Sequence, residues 1–256
     1  MIWVAYAVIY GLIFLAGICI GSFLNVLIYR MPLGINIAKG RSFCPKCKNK
    51  LQAKDMVPLI SFFVLRGSCR FCGQKISGRY PAVELMGGML AVASLYFFWL
   101  TWQALLVYAA VCILLVIAFI DIDTREIPDR LNIALFILAL ISVFLFPDIA
   151  VIERIIGFFE ISLPMLILNF IIKDSFGGGD IKLCAACGFL LGYKAMLVGA
   201  FLGILTGGIY AIWLLISGSK SRKDHFAFGP FLSFGLMVAL YAGTMIWERY
   251  LEIFMF

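Results

Sequence analysis

Two aspartates are placed where carboxylates could do acid–base work. Asp121 lies in Phe119-Ile-Asp121-Ile-Asp123-Thr-Arg-Glu126-Ile-Pro128-Asp129, where a long apolar run gives way to charge. Asp180 closes Gly177-Gly178-Gly179-Asp180-Ile-Lys182-Leu, where another apolar run begins. Acidic residues number only 14 in 256, and in or beside a bilayer they are costly enough that a functional role is the default expectation. Two carboxylates in one site do not both ionise easily, so one keeps a proton while the other takes one from water. That division of labour suits hydrolysis of a peptide bond, and the proton belongs to the pair rather than to either member. Locally, Asp180 could equally be a helix N-cap, its side chain satisfying first-turn N–H groups, and the glycines before it could serve close approach or positive φ. Asp123, Glu126 and Asp129 read as solvated interfacial charges. Glu84 and Glu160 fall near or within apolar runs, and Glu160 is expected to find a polar partner among the helices.

Four of the eight cysteines form a second constellation, Cys44-Pro-Lys-Cys47 and Cys69-Arg-Phe-Cys72, with residues 48 to 68 between the pairs. Two such knuckles can close a tetrahedron of thiolates around zinc, with no open coordination position, so the metal would fold the loop and take no part in catalysis. Unmetallated thiols or a redox pair is the competing reading. Cys184 and Cys187 repeat the spacing inside an apolar helix, where cysteine is commonly a small hydrophobe, and Cys19 and Cys112 read as packing residues.

The elements that must hold these groups are membrane helices. The chain is 64% hydrophobic and 14% charged, with a mean hydropathy of +1.06, which excludes a soluble domain of this size. A crossing helix needs about 20 apolar residues. The sequence offers eight candidate spans, at 2 to 29, 81 to 100, 102 to 120, 131 to 146, 153 to 172, 181 to 193, 195 to 217 and 230 to 248. The sixth is short, so it is either tilted or continuous with the apolar residues after it. The first is too long for a signal-peptide core and reads as a retained span. An amino terminus outside puts loops 30 to 80, 121 to 130, 173 to 182 and 218 to 229 inside, and these hold 18 of the 21 Lys and Arg. Only Arg154, Lys194 and Arg249 are left outside, so the net charge of +7 reflects membrane orientation and not nucleic-acid binding. Both aspartates then fall at one face, the reducing side that also keeps the loop thiols free. The expected fold is an all-α membrane bundle of about eight helices. Residues 1–30 form the first helix, 31–80 a cytoplasmic four-cysteine zinc loop and 81–256 a seven-helix membrane domain.

The residues resemble the type IV prepilin peptidase family, the leader peptidases of type IV pilin and type II secretion systems. The resemblance rests on Gly21-Ser-Phe-Leu-Asn25-Val-Leu-Ile-Tyr-Arg30-Met-Pro32, the two CxxC pairs, Ile76-Ser-Gly-Arg79-Tyr-Pro81-Ala-Val-Glu84, Asp121 seven residues before Pro128, the Gly-x-Gly-Asp ending at Asp180 with Lys182 after it, and Phe226-Ala-Phe-Gly229-Pro230. It implies an intramembrane aspartyl protease of the GxGD type with Asp121 and Asp180 as its catalytic pair. Asp123 is the rival for the first position, and Asp121 fits the family's spacing to Pro128. The substrates so implied are prepilin or pseudopilin precursors with a short basic leader, a glycine before the cut and a hydrophobic helix after it, met at the bacterial inner membrane. Members with the cysteine loop often also N-methylate the new amino terminus with S-adenosylmethionine. No GxGxxG motif stands after a strand here, so no site for that cofactor is readable. Asn25, Arg30 and Glu84 are left between methylation, substrate docking and anchoring of the loop. His225 sits in a basic segment that reads as a solvated loop. A transporter using intramembrane carboxylates and a scaffold whose zinc loop docks partners are the other classes, and the first would favour an inverted repeat that is not apparent.

Overall fold

Where water is absent, a backbone must satisfy its N–H and C=O groups internally, and the apolar runs of this chain do so as helices. The computed structural model describes residues 2–38, 40, 42–44, 46–172, 175–217 and 227–254. His225, Phe226 and the basic segment at 220 to 225 lie outside the described residues. Nine α-helices occur among the described residues: α1 (Ile2–Arg30), α2 (Ile60–Val64), α3 (Arg79–Phe98), α4 (Trp102–Thr124), α5 (Asp129–Leu145), α6 (Val151–Glu160), α7 (Ser162–Ile171), α8 (Gly178–Ile216) and α9 (Gly229–Phe254). They fall into two compact units, Met1–Leu100 and Thr101–Phe256.

Five helices, α1, α3, α4, α8 and α9, are long and apolar enough to cross a membrane. The other expected spans appear as shorter helices. Residues 131 to 146 correspond to α5, with 17 residues, and 153 to 172 to the ten-residue helices α6 and α7. The sixth and seventh spans join in α8, broken only at Gly192, whose φ of 72° is closed to most side chains.

In the first unit α1 packs on α3 through glycines. A Cβ on Gly17 would lie 2.7 Å from Gly87 O, and one on Gly21 would lie 2.8 Å from Glu84 Cα. Bare backbones let the helices approach closely, as membrane helices commonly do. Hydrogen bonds join the two helices and tie down the polar loop between them. Asn25 Nδ2 donates to Tyr80 O at 3.0 Å, Arg30 Nη1 to Asn36 O at 3.0 Å, and Leu59 N–H to Glu84 Oε2 at 2.7 Å. Arg30 and Glu84 therefore anchor the loop, while Asn25 joins α1 to α3.

In the second unit α8 packs against α5, α6, α7 and α9, while α4 packs on α5 and α9. Ala110, Val111, Leu114, Val116 and Ile117 of α4 are fully buried and form its core. Where α6 meets α8, a Cβ on Gly188 would collide with Gly157 O.

Arg154, one of the three cations that the orientation leaves outside, is fully buried on α6. Its guanidinium donates to Ser142 O, Phe146 O, Phe189 O and Leu190 O, and to Ser142 Oγ at 2.7 Å. Those carbonyls close α5 and the part of α8 before Gly192, so one cation serves the negative ends of two helices. Glu160 departs from expectation in the other direction: its buried Oε2 has no hydrogen-bond partner among the described residues. It is the last residue of α6, where the helix breaks before α7 and Ser162 Oγ bonds back to Phe158 O.

Candidate active site

Four helix ends of the second unit meet at one place: the carboxyl end of α4 and the amino ends of α5, α8 and α9. The α4 helix stops just past Asp121 because Arg125 takes the left-handed conformation, φ 56°, and its N–H bonds to Asp121 O at 2.9 Å. Pro128 then fixes the extended residue from which α5 starts. Buried Ile127, between them, presses on Gly179, where a Cβ would come within 2.8 Å of the Ile127 Cβ. The Ile-Pro step and the second glycine of Gly-Gly-Asp are thus halves of one contact.

Asp121 and Asp180 line the same cavity of about 400 Å³, together with residues 125 to 129 and 177 to 179. Asp121 is 5% exposed, and its Oδ2 accepts the Gly229 N–H at the amino end of α9 at 2.9 Å. Asp123, two residues on and therefore on another face of α4, is exposed and does not line the cavity. Asp180 is the third residue of α8, whose N-cap is Gly177 with no side-chain cap. Its Oδ1 is buried without a hydrogen-bond partner among the described residues, so that oxygen caps nothing and is available to a donor in the cavity. The amino ends of α5, α8 and α9 bring partial positive charge to both carboxylates.

Two supports were not foreseen from sequence. Asn132 of α5, buried, donates from Nδ2 to Gly179 O at 3.2 Å and so holds the strand of chain that presents Asp180. A lone Asn in an apolar run was the only available signal. Gly229 belonged to a recognised motif but carried no role; a Cβ there would sit 2.6 Å from Asp121 Oδ2. At the rim, exposed Lys182 and Asp129 pair at 2.7 Å and link α8 to α5, a contact of small energetic weight. Glu126 and Asp129 line the cavity as exposed groups.

In the first unit, Cys44, Cys47, Cys69 and Cys72 gather with their sulfurs all within 4.8 Å of one another. The two pairs fold alike. Cys44 N–H bonds to Asn49 O and Lys48 N–H to Cys44 O, while Cys69 N–H bonds to Gln74 O and Gly73 N–H to Cys69 O. Lys48 and Gly73 occupy the same left-handed position, φ 59° and 67°. Cys44 and Cys72 sulfurs stand 3.9 Å apart, close to the roughly 3.8 Å edge of a tetrahedron with zinc–sulfur bonds of about 2.3 Å. The Cys47 backbone N–H, against some desolvation, draws the Cys44 thiol down to about 7. At Cys72 the Gln74 N–H pulls the same way, but desolvation and the three other sulfurs push the thiol up to about 11. Crowded thiols of this kind fit a divalent cation, which would relieve their repulsion.

Comparison with known proteins finds matches in both parts of the chain. A family model described as the bacterial peptidase A24 N-terminal domain matches residues 15–98, and one described as the type IV leader peptidase family matches residues 108–212. The prepilin leader peptidase/N-methyltransferase of Legionella pneumophila is 33% identical over 281 residues, covering 99% of this chain and 96% of the relative. This chain belongs to the prepilin leader peptidase/N-methyltransferase family. The relatives of the same name from Neisseria gonorrhoeae, 34% identical over 91% of this chain and 90% of the relative, and Bacillus subtilis, 28% over 94% and 98%, extend the likeness. No solved structure matches the chain. The boundary between the two family models, 98 to 108, spans the division between the compact units, so the four-cysteine loop and the two-aspartate cavity belong to separate parts of the leader peptidase chain.

Proposed function

We propose that Asp121 and Asp180 are the catalytic pair of a prepilin leader peptidase, removing the short basic leader of type IV prepilins or pseudopilins at the cytoplasmic face of the bacterial inner membrane. The observation that carries this is their shared cavity, reached from the end of α4 and the start of α8. One carboxylate takes a proton from a water whose oxygen adds to the peptide carbonyl carbon, while its partner donates a proton to the carbonyl oxygen. Collapse of the tetrahedral adduct breaks the C–N bond, and the departing amine takes a proton from the pair. The Gly229 N–H holds one oxygen of Asp121 throughout, and the Asn132 bond to Gly179 O keeps Asp180 at its station. Because the protons belong to the pair, cleavage rate against pH is a bell with two macroscopic limbs.

The cysteine loop, Cys44, Cys47, Cys69 and Cys72, would hold a structural zinc, which closes the loop and offers no open position to substrate. N-methylation of the new amino terminus, with S-adenosylmethionine as donor, is supported by the relatives' names. Asn25 bonds α1 to α3, and Arg30 and Glu84 engage the loop in hydrogen bonds, so no methyl-transfer step is assigned to them. The distribution of Lys and Arg supports an amino terminus outside and a cytoplasmic loop at 31 to 80, ahead of a membrane domain at 81 to 256.

The detergent-solubilised protein, given a peptide with a basic leader, a glycine and a hydrophobic stretch, should shorten it at the glycine. Asp180→Ala should abolish cutting without moving the thermal midpoint. Cutting by Asp180→Ala at the unsubstituted rate would refute the assignment.

A further inference from the structure

The loop between α1 and α3 is strongly basic: residues 31 to 78 contain nine Lys or Arg and a single acid, Asp55. That acid is buried and held by Arg70 at 2.8 Å. Inside this polar stretch, Met56 to Leu65 carries one polar side chain, Ser61. Most of the run does not fold into a core. Ile60, Phe63 and Val64 of α2 are 62%, 72% and 70% exposed, and Met56 and Val57 are exposed as well. Contiguous exposed apolar residues of this size mark a surface made to be covered.

Position says what covers them. The Leu59 N–H, at the start of α2, is bonded to Glu84 Oε2 at 2.7 Å. Glu84 is the sixth residue of α3, a helix long and apolar enough to cross a membrane, and so lies about 8 Å in from that helix's first residue at 1.5 Å per residue. A segment tied there is held at the headgroup level, the depth at which interfacial helices bury their apolar faces. Lys54 and Arg66, both exposed, flank the run on either side, the arrangement that anionic lipid attracts.

We propose that residues 54 to 66 dock on the bilayer surface, with Ile60, Phe63 and Val64 among the acyl chains and Lys54 and Arg66 at anionic headgroups. The four-cysteine loop is thereby a membrane-resting module fixed against α3, not a domain standing free in the cytoplasm. A protein partner on the same face is the competing occupant, and the test separates the two.

The full chain is reconstituted in phosphatidylethanolamine and phosphatidylglycerol vesicles, with or without acyl chains brominated near the headgroup. Phe63→Trp and Val64→Trp are each compared with the unsubstituted protein, whose five tryptophans give the background. The added emission should be blue-shifted and quenched about twofold by the brominated lipid. Adding Lys54→Glu and Arg66→Glu should weaken that quenching. Added emission that brominated lipid does not quench overturns the proposal, whether red-shifted by water or blue-shifted against protein. Quenching unchanged by the two charge reversals overturns the assignment to anionic lipid. Both tryptophan positions are exposed, so failure of one to fold leaves the other as the test.

Discussion

At Asp121 the backbone of another helix does work that a side chain would prevent. Gly229 N–H reaches Oδ2 at 2.9 Å only because no Cβ stands there; one would lie 2.6 Å from the same oxygen. Gly229→Ala must push the carboxylate aside, and a displacement of about 1 Å costs on the order of 10²-fold in rate. Measured kcat/KM should fall by that much with little change in the thermal midpoint; a rate near that of the unsubstituted protein would mean the bond is incidental. Asn132→Ala removes the side-chain donor to the Gly179 carbonyl, a hydrogen bond worth about 1 kcal/mol of stability. It should also slow cleavage, read as a drop in kcat with KM held. The two aspartates stood out because charge is rare in apolar sequence, and the family resemblance, through its spacing to Pro128, favoured Asp121, which lines the cavity where Asp123 does not. Asn132 and the Gly229 contact were not legible, because they act across 47 and 108 residues of chain, and nothing near them in sequence reports the partner.

Among the elements, the helix breaks carry information that hydropathy does not. Apolar run length located the helices, since burial in lipid demands such runs. Run length gave no sign that residues 153 to 172 divide into α6 and α7, whereas the shortness of the sixth span left open its continuation into the seventh, which α8 shows through Gly192. Both features depend on packing: Gly157 against Gly188, and Ile149 against Gly192. The same holds for Arg154. By sequence it is one more charge beside an apolar run; in the fold it binds the closing carbonyls of α5 and of the first part of α8. Arg154→Met would remove the guanidinium donor from Phe189 O and Leu190 O at about 1–3 kcal/mol each, while Phe146 O would keep the Ile149 N–H. The thermal midpoint in detergent should drop sharply, and Arg154→Lys should recover little, since a point charge cannot reach so many carbonyls at once. A midpoint unmoved by Arg154→Met would show that water serves those carbonyls equally well.

For the molecule as a whole, composition decided the solvent and charge placement suggested the orientation, because bilayer and surface potential act on averages rather than on contacts. The two centres belong to different compact units, which makes them separable by experiment. The chain should carry one zinc, lost on Cys44→Ser with the loop becoming sensitive to protease, while helical content of the second unit is kept. Elemental analysis with circular dichroism reads both, and zinc retained at full stoichiometry by Cys44→Ser would place the metal elsewhere.

The central claim, that Asp121 and Asp180 act as one unit, is tested most directly by single-turnover cleavage in Asp121→Asn, Asp180→Asn and the double variant. Groups that share one task are not additive. Each single change should lower the rate by about 10²–10⁴-fold, and the double change should lower it hardly further. Two losses that multiply, or a single variant that still cuts at the unsubstituted rate, would contradict a shared catalytic pair.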